Sequence, residues 1–221
     1  MTMRYDAILL DMDGTVLNTI EDLADAMNAA LRHFGMPERS LAEVRAFVGN
    51  GAKRLVEQAV PAGTDGARRD EVLAWYKPYY DAHCQIKTRP YDGILPLLRR
   101  LRAAGLRLAV ISNKPDPAVA LLAQEHFAGL LDLAVGETAR LRRKPWPDMV
   151  EEACARLGLR KERCLYVGDS EVDVLTARNA GLDCASVCWG FRSRKELENA
   201  GAAHLFESPE ALGDWILERG K

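Results

Sequence analysis

Two carboxylates two residues apart, followed by a glycine, stand near the start of the chain in Asp11-Met12-Asp13-Gly14-Thr15. A carboxylate in such a place can serve as nucleophile, general acid/base or metal ligand. Gly14 permits a sharp turn and a close approach of backbone to a ligand. Asp and Gly are also ordinary turn formers, so this stretch alone does not decide between a site and a turn. Ser112-Asn113-Lys114 offers a hydroxyl, an amide and backbone N–H groups that can hold an anion near a helix start; the plainer reading is a helix N-cap before Pro115. Lys144-Pro145 provides a compact cation suited to a phosphoryl oxygen or to crowded carboxylates. The neighbouring Arg140, Arg142 and Arg143 read as a solvated basic face. Gly168-Asp169-Ser170-Glu171-Val172-Asp173 brings two more carboxylates four residues apart, on one side of any helix that begins there. Magnesium is usually held by one or two carboxylates with waters and phosphate oxygens, whereas an acidic helix N-terminus is the alternative meaning of the same residues.

The elements that must position these groups alternate. Residues 5–10 read as a short strand ending at Asp11, and the run 7–10 within it is continuously apolar, as expected of a parallel strand covered on both faces. Similar runs recur at 106–111, 131–135, 164–167, 184–187 and, more weakly, 203–206. Helical patterns lie between them, at 94–102, 116–126, 147–157, 171–180, 193–200 and 208–219. In the first of these Ile94, Leu97, Leu98 and Leu101 share one face, with arginines opposite. This alternation predicts an α/β fold, a doubly wound parallel sheet of Rossmann-like form. Residues 18–85 break the rhythm with helical stripes alone: Ile20 to Phe34, a start at Ser40 with Glu43, then 51–60 and 66–84. Thr19 with Asp22 resembles a capping box, and Gly35 a stop. The expected organisation is a core of 1–16 and 87–221 with a helical domain, 17–86, inserted after the first strand.

Each polar cluster follows a separate buried strand, so all should open on one sheet edge, where open α/β sheets bind their ligands. The four motifs in this order resemble the haloacid dehalogenase-like hydrolase superfamily over essentially the whole chain. Among its members the sequence is most similar to the phosphoglycolate phosphatases, in VGNGAKRLVEQAV, in RPYDGILPLLRRLRAAGLRLAVISNKP and in WGFRSRKELENAGAAHLFESPEAL. Asn18 departs from the Asp or Ser common in relatives, at a place no catalytic step uses. The resemblance implies that Asp11 attacks phosphorus and that Asp13 protonates the leaving alcohol and later deprotonates water. It implies that Ser112 and the Asn113 backbone hold the phosphoryl group, and that Lys144 offsets its charge. It also implies that Asp11, the Asp13 carbonyl and Asp169 hold Mg2+, with Asp173 in support. The inserted helices would be a cap hinged near 15–19 and 85–91. Its segment 48–53 would supply leaving-group contacts through Asn50, Gly51 or Lys53, with Arg45 a weaker candidate. The plainer reading of that segment is a helix-to-helix turn capped by Asn50.

Composition excludes more than it assigns. The 221 residues suit one large domain or one domain with a companion. Thirty basic and 32 acidic residues leave a formal charge of −2, no field for nucleic acid or an anionic membrane. No stretch is long and apolar enough for a secretory signal or a membrane span. Five cysteines without a Cys-x-x-Cys pair read as reduced thiols of a cytoplasmic protein, and the four histidines form no ligand-spaced cluster. The partners expected are a small phosphorylated metabolite and at most a second copy of the chain, as monomer or homodimer. The leading expectation is a magnesium-dependent phosphatase, best guess for phosphoglycolate. An inorganic pyrophosphatase or a β-phosphoglucomutase-like mutase on the same scaffold remains open. A metal-free dehalogenase leaves Asp13 and the metal-site aspartates without a job, and a non-catalytic binding protein would have little use for all four motifs.

Overall fold

The computed structural model describes residues 4–218. Its strands are β1 (Ala7–Leu10), β2 (Leu17–Asn18), β3 (Arg89–Pro90), β4 (Arg107–Pro115), β5 (Leu133–Glu137), β6 (Cys164–Gly168), β7 (Asp183–Val187) and β8 (Leu205–Phe206). The helices are α1 (Ile20–His33), α2 (Leu41–Phe47), α3 (Gly51–Ala59), α4 (Gly66–His83), α5 (Ile94–Ala103), α6 (Asp116–Phe127), α7 (Asp148–Leu157), α8 (Glu171–Ala180), α9 (Arg194–Asn199) and α10 (Pro209–Glu218). The chain divides into two compact units. One runs through Leu17 and resumes at Pro90; the other is Asn18–Arg89.

In the first unit six parallel strands lie in the order β5-β4-β1-β6-β7-β8. Successive residues of each inner strand serve opposite faces. Ile8, Leu10, Leu108, Val110, Leu165 and Val167 join one apolar layer with α5, α6 and α10. Ala7, Leu9, Ala109, Ile111, Cys164 and Tyr166 join the other with α7 and α8. Both faces are therefore covered, which is why the strands read as unbroken apolar runs. Each fully buried leucine or isoleucine stabilises the sheet by about 1.5–3 kcal/mol. The β1 strand is central, with β4 on one side and β6 on the other, so the strand order reverses between β1 and β6. Ligands bind at such a switch point, beyond the carboxyl ends of the strands.

Two expected bounds shift. The strand expected at 106–111 continues to Pro115 with a register irregularity between Ile111 and Pro115, so Ser112, Asn113 and Lys114 belong to β4 itself. The run expected at 131–135 pairs two residues later, as Leu133–Glu137.

The second unit is helical. Along α1, Ile20, Leu23, Ala24, Met27 and Leu31 are buried, and Gly35 follows with φ +66°, a left-handed conformation that suits a helix end. Ser40 and Glu43, read as a helix start, form a capping box at α2. Thr19 and Asp22 do not form one: Thr19 makes no side-chain cap bond. The Asp22 carboxylate instead accepts the Lys87 N–H at 3.0 Å and the Thr88 N–H at 2.8 Å. That tie holds the returning chain to α1, and the helical unit ends after Arg89 rather than at the expected residue 86. Where the chain leaves and re-enters the first unit, β2 and β3 pair as a two-stranded sheet.

Candidate active site

The site gathers at the ends of β1, β4 and β6. Asp11 follows β1 directly, and its N–H donates to Val167 O of β6 at 2.9 Å, which extends the ladder by one bond. A tight turn comes next: Thr15, Val16 and Leu17 all donate backbone N–H groups to Met12 O, and Gly14 adopts φ +86°. A Cβ on Gly14 would overlap the Asp169 carboxylate, and one on Gly190 would overlap both Gly14 O and Asp169. Only bare backbone lets these segments lie so close to Asp169.

Asp11 is almost fully buried. Its Oδ1 accepts the Met12 N–H at 2.7 Å and pairs with Lys144 Nζ at 2.7 Å. Its Oδ2 accepts no hydrogen bond among the described residues. Lys144 Nζ reaches Asp173 Oδ1 at 2.8 Å as well. The Lys144 backbone is held by Asn113: its N–H donates to Asn113 Oδ1 at 2.7 Å, and Asn113 Nδ2 donates to Lys144 O at 3.1 Å. The Asn113 side chain thus serves the lysine loop. Ser112, 1% exposed, accepts the Lys114 N–H on Oγ at 3.2 Å, so its own O–H remains available as a donor. Lys114 Nζ lies 3.2 Å from Asp13 Oδ1.

Carboxylate oxygens of Asp11, Asp169 and Asp173 lie within 4.8 Å of one another, a group able to hold a metal ion. Their surroundings separate their roles. Asp173 accepts four hydrogen bonds, from Lys144 and Tyr166 on Oδ1 and from Ser170 N and Oγ on Oδ2. A carboxylate offers about four acceptor positions, so Asp173 is filled and acts as the anchor of Lys144. Among the described residues, Asp169 accepts from Thr15 Oγ1 at 3.2 Å and Phe191 N at 2.7 Å. Asp11 and Asp169 are the carboxylates with capacity left for a cation.

Charge balance points the same way. Four carboxylates, Asp11, Asp13, Asp169 and Asp173, face two ammonium groups, Lys114 and Lys144. Arg192 is neutralised by Glu171 at 2.9 Å. Burial pushes the Asp11 carboxyl well above the usual range; Asp173 adds to the rise and Lys144 opposes it. Burial and the Asp173 charge push Asp169 up to about 7. Burial would lower the Lys144 ammonium, but Asp11 and Asp173 more than offset this and keep it charged. With all four carboxylates ionised the cluster would carry an excess of two negative charges, which fits a divalent cation, and an all-oxygen donor set suits a hard one.

Of the residues expected in the site, Asp11, Asp13, Ser112, Asn113, Lys144, Asp169 and Asp173 all stand within this one network. Asn50, Gly51 and Lys53 lie in the helical unit at the start of α3; Asn50 occupies the N-cap position without a side-chain cap bond, and Gly51 has φ +78°. The sequence reading missed Tyr166 and the Gly190-Phe191 backbone, and it quoted Thr15 and Ser170 in its motifs without giving them a role. It noted Lys114 without a role. The adjacency of Lys114 to Ser112 and Asn113 was its one local signal. Arg142 behaves as a surface residue, with a two-pronged pair to Asp148 and a stack on Trp146.

A parallel α/β sheet carries paired aspartates, a buried lysine and a hydroxyl at its switch point. The chain belongs to the haloacid dehalogenase-like hydrolases, whose family profile matches residues 5–181. A phosphoglycolate phosphatase of Rhodobacter capsulatus is 35% identical over 216 residues, 95% of this chain and 97% of that protein. The N-acetylmuramic acid 6-phosphate phosphatase of Pseudomonas aeruginosa is 32% identical over 98% of this chain and 96% of its own. Among solved structures, a Lactobacillus delbrueckii protein provisionally described as a phosphoglycolate phosphatase superposes with a TM-score of 0.93. It is 39% identical and covers 97% of this chain and 99% of its own. No helix among the described residues is long and apolar enough to cross a membrane.

Proposed function

We propose that the protein is a Mg2+-dependent phosphatase that hydrolyses a small phosphomonoester, phosphoglycolate foremost, through a phosphorylated Asp11. The observation that carries this is the asymmetry of the Asp11 carboxylate: Oδ1 is held by Lys144 and the Met12 N–H, and Oδ2 has no donor. Oδ2 attacks phosphorus and forms the acyl-phosphate bond while the bond from phosphorus to the leaving oxygen breaks. Asp13 donates its proton to that oxygen. In the second half Asp13 takes a proton from water, whose oxygen attacks phosphorus and releases Asp11 and inorganic phosphate. Ser112 Oγ–H and the Asn113 N–H hold the phosphoryl oxygens, and Lys144 offsets their charge, so the chain supplies position and electrostatics.

Asp11, the Asp13 carbonyl and Asp169 would hold Mg2+, which, when bound, neutralises charge on the phosphoryl group. Asp173 supports it indirectly by fixing Lys144. The helical unit acts as a cap that excludes water, and Asn50, Gly51 and Lys53 contact the leaving group. The protein works in the cytoplasm, as monomer or homodimer; all five cysteines are free thiols, which suits a reducing compartment.

The test is phosphate release from a panel of metabolites with and without Mg2+. Phosphoglycolate should lead the panel and Asp11→Asn should release no phosphate above background. Near-normal turnover by Asp11→Asn would refute Asp11 as nucleophile. A lead for N-acetylmuramic acid 6-phosphate would move the substrate to that of the Pseudomonas relative. Release from pyrophosphate alone, or sugar-phosphate isomerisation without release, would favour the pyrophosphatase or mutase reading.

A further inference from the structure

Lys114 is a buried cation that the proposed chemistry has not used. Its side chain is 3% exposed, and its Nζ lies 3.2 Å from Asp13 Oδ1. The two residues reach each other from different strand ends. Asp13 follows β1, and Lys114 lies on the irregular end of β4, two residues beyond Ser112. The backbone at Asp13 is already fixed by the turn that follows it, where Gly14 N–H donates to Leu17 O at 2.9 Å and residue 13 forms an isolated bridge with residue 17. Of the pair, the Asp13 side chain is the more exposed, at 17% against 3% for the lysine.

An aspartate that acts as proton donor must present a chosen oxygen to the leaving group. Misplacement by about 1 Å can cost on the order of a hundredfold in rate. We infer that Lys114 is a positioning residue: by pairing with Oδ1 of Asp13, it sets the orientation of that carboxyl toward the leaving oxygen. This inference rests on the proposed phosphatase reading. It separates the two lysines of the site. Lys144 serves the nucleophile and the transferring phosphoryl group, and Lys114 serves the acid that acts on the leaving group. Lys114 forms no bond to substrate in this scheme, and the proton passes from Asp13 to the leaving oxygen alone.

The discriminating measurement is dependence on the leaving group. An alkoxide must be protonated as it departs, whereas a nitrophenolate leaves without a proton. Loss of a well-placed general acid costs about 10²–10⁴-fold where the proton is needed. Wild type, Lys114→Met and Lys114→Gln are compared on phosphoglycolate and p-nitrophenyl phosphate at saturating Mg2+, each checked by circular dichroism. In Lys114→Met, kcat for phosphoglycolate should fall about 30-fold or more, and at least ~10-fold further than kcat for the aryl ester, a general-acid effect in which KM moves less than kcat. Lys114→Gln retains a donor for Asp13, so its ratio should lie between wild type and Lys114→Met. Equal losses on the two esters in a folded variant would overturn the inference, as would a Gln ratio identical to that of Met. Failure of both variants to fold would also overturn it and make Lys114 a structural residue. Absence of Mg2+-dependent phosphate release by the wild type would instead refute the phosphatase reading itself.

Discussion

Lys144→Met removes one ammonium from between two buried carboxylates and leaves the methylene stem nearly intact. The side chain of Lys144 is 2% exposed, that of Asp173 0% and that of Asp11 10%. Breaking a buried ion pair by deleting one partner costs about 3–5 kcal/mol, because the remaining charge stays buried without compensation. In a chain of this length, that corresponds to a fall in melting temperature of roughly 6–20 °C. The variant can relieve the strain only by taking up a proton. Burial, then the charge of Asp173, already raises the Asp11 carboxyl well above the usual carboxylate range, and Lys144 is what opposes this. A carboxyl raised on folding favours the folded state most below its unfolded pKa, and that contribution is lost as pH rises through the folded pKa. The deficit of Lys144→Met should therefore grow with pH. At 1.36 kcal/mol per proton per pH unit, the growth between about pH 5.5 and about pH 8 can reach about 3 kcal/mol. Urea unfolding of the metal-free protein at the two pH values reads this directly. Arg142→Ala is the control, since its pair with Asp148 lies on the surface, where ion pairs contribute little to stability. A deficit under about 1 kcal/mol for Lys144→Met, or one independent of pH, would refute the reasoning.

Two further perturbations probe the metal site and the chain return. Asp169 is raised to about 7 by burial and the Asp173 charge, so the metal-free fold gains from its protonation at low pH and loses that gain as pH rises through neutrality. Mg2+ needs the ionised form, so the increase in melting temperature that Mg2+ confers should be larger at about pH 8 than at about pH 5.5; an equal increase at both would refute Asp169 as a ligand. At a hundredfold excess over Kd the stabilisation is about 2.7 kcal/mol. Asp22→Ala leaves the Lys87 and Thr88 N–H groups without their acceptor, and Asp22 is 3% exposed. With about 1–3 kcal/mol for the buried Thr88 donor left unpaired and less for the half-buried Lys87 donor, a loss of roughly 1–4 kcal/mol in urea unfolding is expected. A change below about 0.5 kcal/mol would show that these donors find water instead.

Much of the architecture was legible because it is written in local periodicity. The unbroken apolar runs that end at Asp11, Ser112 and Asp169 each become a strand covered on both faces. The stripe Ile20, Leu23, Met27 and Leu31 becomes the buried side of α1. Ser40 with Glu43 caps as read, since both partners lie three residues apart. Thr19 with Asp22 has the same spacing and fails, because Asp22 finds two backbone donors 65 and 66 residues away. No local pattern distinguishes these two cases.

The sequence by itself determined the residue chemistry, the alternation of strands and helices, the helical insertion and the strand end at which each polar cluster stands. Those follow from side-chain type, from unbroken apolar runs and from the helical period of 3.6, which act within one element. Only the tertiary structure decided which strand ends are neighbours. The order β4-β1-β6 brings Asp11 beside Val167 and sets Thr15 and Phe191 on Asp169, 154 and 22 residues distant in the chain. It also turned the Asn113 amide to the Lys144 backbone, filled Asp173 with four donors and joined Lys114 to Asp13. Such contacts are single hydrogen bonds or ion pairs between distant residues. They leave no periodic trace along the chain, and they form only when burial of both faces of the sheet has already fixed where its strand ends lie.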